Sequence, residues 1–192
     1  MSIDEIIRNR RSVYTAQLSG GRIEKEVIWN LLENANWAPN HYHTEPWRFI
    51  VFDPDGGVKS LMNFMANLYE KTTLPANFKP QKLEKYHARI QQVSHVIAIV
   101  MENSYKPGLP QVEEVAATAC AVQNLWLTLS KYPNLGGYWS SGALVYTPQM
   151  AKFLGLSENQ QCLGFFYLGV LDATKPVAQS HRKPIQDKVE WR

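Results

Sequence analysis

The sequence predicts an α+β fold, a sandwich of helices packed against a mainly antiparallel or mixed sheet. Three observations carry this reading. Apolar residues recur at helical spacing in several separate stretches. Four short stretches rich in aromatic and β-branched residues lie between or after them. Glycine and proline clusters separate the two kinds. At 192 residues the chain suits one substantial domain spanning 1–192, with no internal repeat and no long linker.

Ser2 followed by Glu5 forms a capping-box pattern opening a short helix, with Ile3, Ile6 and Ile7 on one face, that stops near Arg11 and Ser12. After the Gly20-Gly21 turn, Ile23, Val27, Ile28, Leu31, Leu32 and Ala35 mark a second helix, and Pro39 ends the pattern. Trp47 to Phe52 reads as a strand closed by Asp53-Pro54-Asp55-Gly56-Gly57. Helical patterns follow from about Val58 to Glu70 and from Lys82 to Val93. His95 to Met101 is the nearly continuous apolar run expected of a central strand buried on both faces.

Glu113 and Glu114 open the longest helix, which runs to about Lys131 and is broken by Pro133. Its alanines and valines suit burial inside the fold. Leu135 to Trp139 and Cys162 to Leu171 are the remaining strands. Between them a short helix from Pro148 to Leu154 ends at Gly155. The tail after Asp172 is polar and punctuated by proline. Strand direction is not written in such patterns.

Composition removes several classes of function. The net charge is +3 and the basic residues are scattered, which argues against a nucleic-acid surface. The start, Ser2-Ile3-Asp4-Glu5, has no basic region followed by an apolar run, so residence in the cytoplasm is expected. The longest uncharged run, Val115 to Ser130, is shorter than the ~20 residues of a bilayer span and contains polar side chains, so no membrane association is expected. Cys120 and Cys162 lie far apart in apolar surroundings and read as buried free thiols. His41 and His43, two residues apart in a loop with only Glu45 as a third donor, make a poor metal site.

Three segments carry candidate chemistry. Arg10-Arg11-Ser12 offers two guanidinium forks and a hydroxyl at a helix exit, a set suited to phosphate, though it also suits a solvated basic helix end. Trp37-Ala38-Pro39-Asn40-His41 through Pro46-Trp47-Arg48-Phe49 packs aromatics, prolines and hydrogen-bonding groups into a stiff loop before a strand. Gly136-Gly137-Tyr138-Trp139-Ser140-Ser141-Gly142 supplies donors, a large ring and glycines that admit a close ligand, or simply a strand with one packed tryptophan. Together they offer cations for a phosphate, polar groups for a ribityl chain and apolar surface for a flat ring, the needs of FMN. Dinucleotide, Walker, nucleophile-elbow and zinc-protease motifs are all missing. A flavin enzyme requires none of them, and no catalytic side chain is then expected.

These motifs, with Leu154-Gly155-Leu156 and Tyr167-Leu168-Gly169, resemble the small FMN-dependent NAD(P)H nitroreductases almost end to end. The resemblance implies an intertwined homodimer with two FMN sites at the subunit interface, reduced by NADH or NADPH and reoxidised in ping-pong fashion by a small-molecule acceptor such as a nitro compound or quinone. It implies that Arg10, Arg11, Ser12, Trp139, Ser140 and Ser141 hold FMN in one subunit, assisted by Arg182, while Trp37 and His41 reach it from the partner. Glu45, where relatives often carry Gln, and the Tyr132-Pro133-Asn134 turn depart from the family pattern and bear on acceptor and donor docking. Other chemistry on the same fold (dehalogenation, breakdown of the flavin) and a non-catalytic FMN store or sensor are the alternatives.

Overall fold

The computed structural model describes residues 2–192. Helix α1 (Ile3–Asn9) opens with the capping box, Glu5 N–H donating to Ser2 Oγ at 3.2 Å and Ser2 N–H to Glu5 Oε2 at 2.6 Å. It ends at Asn9, so Arg10 is its cap residue and Arg11 and Ser12 already run outside it. Helix α2 (Lys25–Ala35) buries Ile28, Leu31 and Ala35, the face its spacing predicts. Strand β1 (Trp47–Phe52), helix α3 (Gly57–Thr72), helix α4 (Pro80–Gln92) and strand β2 (His95–Glu102) follow in that order. Next come α5 (Gln111–Leu129), β3 (Leu135–Ser140), α6 (Pro148–Leu154) and β4 (Gln160–Val170). Thr147 caps α6 by accepting from Met150 N–H, and Gly155 closes it at a φ of 68°.

The four strands form one sheet in the order β1-β2-β4-β3, every pairing antiparallel. As its apolar run predicts, β2 is paired on both sides. Its side chains alternate between two cores: Val96 and Ala98 face α3 and α4, whereas Ile97 and Ile99 face α2 and α5. On β4, Phe165 and Tyr167 join the first core and Phe166 and Leu168 the second. Removing each of the larger apolar side chains (Val96, Ile97, Ile99, Phe165, Phe166, Leu168) from water stabilises the fold by roughly 1.5–3 kcal/mol, so these central strands anchor both helical layers. The result is helices on both faces of an antiparallel sheet, with β1 and β3 as its outer strands.

Two expectations need correction. Cys162 is buried, but Cys120 is exposed. Likewise α5 is not buried all round: Val112, Ala116, Cys120 and Gln123, spaced at three or four residues, form an exposed stripe along its outer side. Small apolar residues occupy every face of this helix, so its pattern alone does not mark which face another surface covers. Among the described residues no helix is long and apolar enough to cross a membrane, and no cluster of His, Cys, Asp or Glu could hold a metal ion.

Candidate functional site

Where α1 ends, the Arg10 guanidinium turns inward over Trp126 of α5, 4.2 Å from the ring centroid. Its Nη1 is buried and has no hydrogen-bond partner. Burial, then the charges of Arg182 and Arg11, lower its pKa. Three guanidinium groups thus crowd one place, and none of them forms a salt bridge among the described residues. Trp126 Nε1 donates to Arg11 O at 3.2 Å and fixes the backbone there. Arg182 arrives from the tail, which is tied back where Gln17 Nε2 donates to Pro176 O at 2.6 Å.

From this cluster the segment around Val13 covers the outer edge of β3. Val13 N–H donates to Gly137 O at 3.1 Å, and Leu18 bridges to Leu171. A Cβ on Gly136 would meet Val13 Cβ at 2.8 Å, so this glycine admits the N-terminal segment rather than a ligand. The Tyr14 ring stands 5.0 Å from that of Tyr138. Ser12 is exposed on this strip. Four residues reach at most ~14 Å, which bounds the distance between the arginine cluster and the far end of the strip.

At the other end of β3 from Leu18 and Leu171 lie Trp139, Ser140 and Ser141, for Leu135 pairs with Val170 and Ser140 with Phe165. Opposite Ile99 and Val100, β4 carries an extra residue, Leu163, next to Gly164 at a φ of 138°. The bulge turns the Leu163 carbonyl to accept from Trp139 Nε1 at 3.2 Å. The Trp139 indole therefore packs on the α2 and α5 side. Ser140 and Ser141 instead line a cavity of about 330 Å³ against α4, with Tyr86 and Arg89 in its wall and Gly142 open toward it.

Arg89 is the residue that sequence reasoning missed. Its guanidinium lies 4.8 Å from the Tyr167 ring centroid, and Nη2 donates to Tyr138 Oη at 3.3 Å. Its Nε is buried without a partner, the same unmet demand as at Arg10. Burial raises the pKa of Tyr86, Tyr138 and Tyr167, which stay protonated around it. The available signal was the spacing of Lys82, Lys85 and Arg89, three cations on one side of an amphipathic helix whose other half packs on the core.

Trp37 and His41 do not join this group. Trp37 is 79% exposed, on the outer side of the molecule in a groove with Ile3, Ile6 and Leu127. His41 Nδ1 lies 2.5 Å from Glu113 Oε2 at the start of α5. The loop that carries it is conformationally strained, with positive φ at Tyr42, His43 and Glu45. Glu113 and Trp126 are thirteen residues apart on α5, about 20 Å along the helix axis. Within one chain, then, His41 and Arg10 sit toward opposite ends of the same helix.

The two departures from the expected pattern separate in space. Tyr132 and Pro133 border a small pocket shared with Arg11, Val13 and Trp126, beside the arginine cluster. Glu45 instead borders a cleft of about 800 Å³ between α2 and β1. That cleft is the larger one, but it lies at the opposite edge of the sheet from β3 and holds none of the predicted site residues.

Comparison with known proteins agrees with this architecture. The sequence profile of the nitroreductase family matches residues 7–170. YfhC of Bacillus subtilis, provisionally named an NAD(P)H nitroreductase, is 30% identical over 184 residues, 96% of this chain and 91% of its own length. A nitroreductase-like family protein from Bacillus cereus superposes with a TM-score of 0.84 at 29% identity, over 100% of this chain and 96% of that one. The FMN-dependent nitroreductase NfnB of Mycobacterium smegmatis, solved with NADPH, shares the fold at a TM-score of 0.76 and 15% identity, over 98% and 97% of the two chains.

Proposed function

Because this chain belongs to the nitroreductase family, whose profile covers residues 7–170, we propose that it is an FMN-dependent oxidoreductase that passes hydride from NADH or NADPH to small electrophilic acceptors such as nitro compounds and quinones. The observation that carries the reading is the buried, unpartnered Nη1 of Arg10 inside a cluster with Arg11 and Arg182. Such a cluster repels itself and leaves a donor unmet, and a phosphate answers both demands. The donor set therefore fits FMN. Bound there, FMN would supply the two-electron redox chemistry that links a nicotinamide donor to an acceptor in ping-pong fashion.

The chain's own residues divide the remaining work. Arg10, Arg11 and Arg182 hold the phosphate, and Ser12 extends the polar strip toward the ribityl chain. Ser140, Ser141 and the partly freed Arg89 border the cavity that receives the ring, where a fixed cation stabilises negative charge developing on it. The Trp139 indole, locked by the Leu163 carbonyl on the other face of the sheet, fixes the end of β3 from which Ser140 and Ser141 enter the cavity.

Trp37 and His41 complete the site from the second subunit of an intertwined homodimer. The exposed stripe on α5, together with Ile3, Ile7 and Trp37, supplies a self-complementary apolar face. If two α5 helices pack antiparallel about a two-fold axis, the His41 end of one lies beside the Arg10 end of the other. Ile185, Val189 and Trp191 of the tail, all exposed, supply further surface for such an exchange.

An anaerobic absorbance spectrum of the purified protein, before and after NADH or NADPH, tests the reading. An oxidised flavin spectrum that bleaches with either donor is expected. A flavin that neither donor bleaches would favour a store or sensor, and a colourless protein that takes up no FMN would overturn the reading.

A further inference from the structure

One side of α4 is cationic. Lys82, Lys85 and Arg89 share one side of the helix, and all three line the cavity that ends at Ser140 and Ser141. No Asp or Glu lines that cavity. Neither lysine forms a salt bridge among the described residues. Lys82 Nζ sits 4.6 Å from the Tyr69 ring centroid, held over an aromatic face and not by an acid. Glu84, the acid within this stretch of α4, is exposed and outside the lining.

Position along the helix separates the roles of these cations. Arg89 is half-buried at the cavity floor, whereas Lys82 and Lys85 are exposed at its mouth. From Lys82 to Arg89 the helix advances about 10 Å. The walls between are largely apolar, with Tyr86 and Phe165 among them. Low-dielectric walls focus the field of the cations toward whatever enters. The phosphate cluster at Arg10 is a separate group, so the lysines are not needed for that task.

On the flavin reading given above, we propose that Lys82 and Lys85 are specificity-determining residues that favour, for the place facing the flavin, a reactant bearing an anionic oxygen group. That group has two sources, the carboxylate of an acidic aromatic acceptor and the 2′-phosphate that NADPH carries and NADH lacks. In both cases the flat part of the reactant lies over the flavin ring that the cavity receives, and its anion remains at the mouth beside the lysines. Such contacts are partly exposed, so the preference fades as salt shortens the Debye length from about 10 Å at 0.1 M to about 3 Å at 1 M.

The test uses FMN-loaded dimer, wild type and the double variant Lys82→Met with Lys85→Met, which keeps most of the side-chain length. Calorimetry on the oxidised protein compares 4-nitrobenzoate with 4-nitrobenzyl alcohol, and steady-state KM compares NADPH with NADH. Wild type should bind the acid about fivefold or more tightly than the alcohol, and the variant should lose that ratio. A loss confined to the NADPH-to-NADH ratio would assign the anion to the donor's phosphate. If both ratios are the same in the two proteins, the inference is overturned while the flavin reading stands. Absorbance of the same preparations reads cofactor uptake, and a chain that takes up no FMN would overturn both.

Discussion

The Arg10 guanidinium lies over the Trp126 indole, 4.2 Å from its centroid, with Nη1 buried and unpartnered. The ring holds the cation in place, and the repulsion of Arg11 and Arg182 keeps the site in need of an anion. Losing one charge-assisted contact of this kind costs about 1.5–3 kcal/mol. Arg10→Ala is therefore expected to weaken FMN binding by roughly 10- to 100-fold. Fluorescence titration of the apoprotein with FMN measures this, and an unchanged affinity would sink the phosphate assignment.

The ~20 Å along α5 between Glu113 and Trp126 makes the shared site testable by mixing. Subunits carrying Arg10→Ala and subunits carrying His41→Ala should each bind FMN weakly as homodimers. In mixed dimers, residues acting in trans leave one site intact and one doubly altered. About half the wild-type amount of tightly bound FMN is then expected, from the statistics of pairing one such subunit of each kind. No recovery in mixed dimers would mean that both residues serve the same chain's flavin, and tight FMN binding by the His41→Ala homodimer would mean that His41 serves none.

Glu114 is 1% exposed, and both of its carboxylate oxygens accept from Ser104 N–H, at 3.1 and 3.3 Å. It ties the loop after β2 to the first turns of α5, close to Glu113 and hence to His41. Removing a hydrogen bond to a charged group costs about 1.5–3 kcal/mol, so Glu114→Ala should lower Tm by roughly 3–12 °C in a chain of this size. Differential scanning calorimetry checks this, and a change under 1 °C would show that the loop is held by other contacts.

His95 is buried at the start of β2, with Nδ1 2.9 Å from Ser94 Oγ, and burial lowers its pKa against the pull of nearby Asp53 and Asp55. The unfolded chain therefore takes up the proton first. The stability contributed by neutral His95 is present above the unfolded value of about 6.5 and is lost as pH falls below it. Urea midpoints should drop between pH 7.5 and pH 5.5, and His95→Gln should drop less over that interval. Equal slopes for the two proteins would exclude His95 as the cause.

Much of the fold is legible in local patterns because local physics produces it. The Ser2 and Glu5 cap, the Thr147 and Gly155 ends of α6 and the two-sided burial of β2 each depend on residues within a few positions of one another. The motifs Arg10-Arg11-Ser12 and Trp139-Ser140-Ser141 are legible for the same reason. Arg89 escaped notice because its meaning comes from Tyr138 and Tyr167, which are distant in sequence. Cys120 misled because a helix of small apolar residues looks alike on every face, and only packing selects the covered one.

By itself, then, the sequence determined the α+β class, the order and approximate ends of its elements, and the residue types that a flavin phosphate and ribityl chain require. Tertiary structure alone decided that Arg182 returns from the tail to Arg10, that Gly136 serves Val13 instead of a ligand, and that His41 stands at the opposite end of α5 from Arg10. The physical reason is range. Caps, turns and periodicities act over a few residues, whereas a site is made by side chains whose separation in space is set by the burial of two cores on the faces of one sheet.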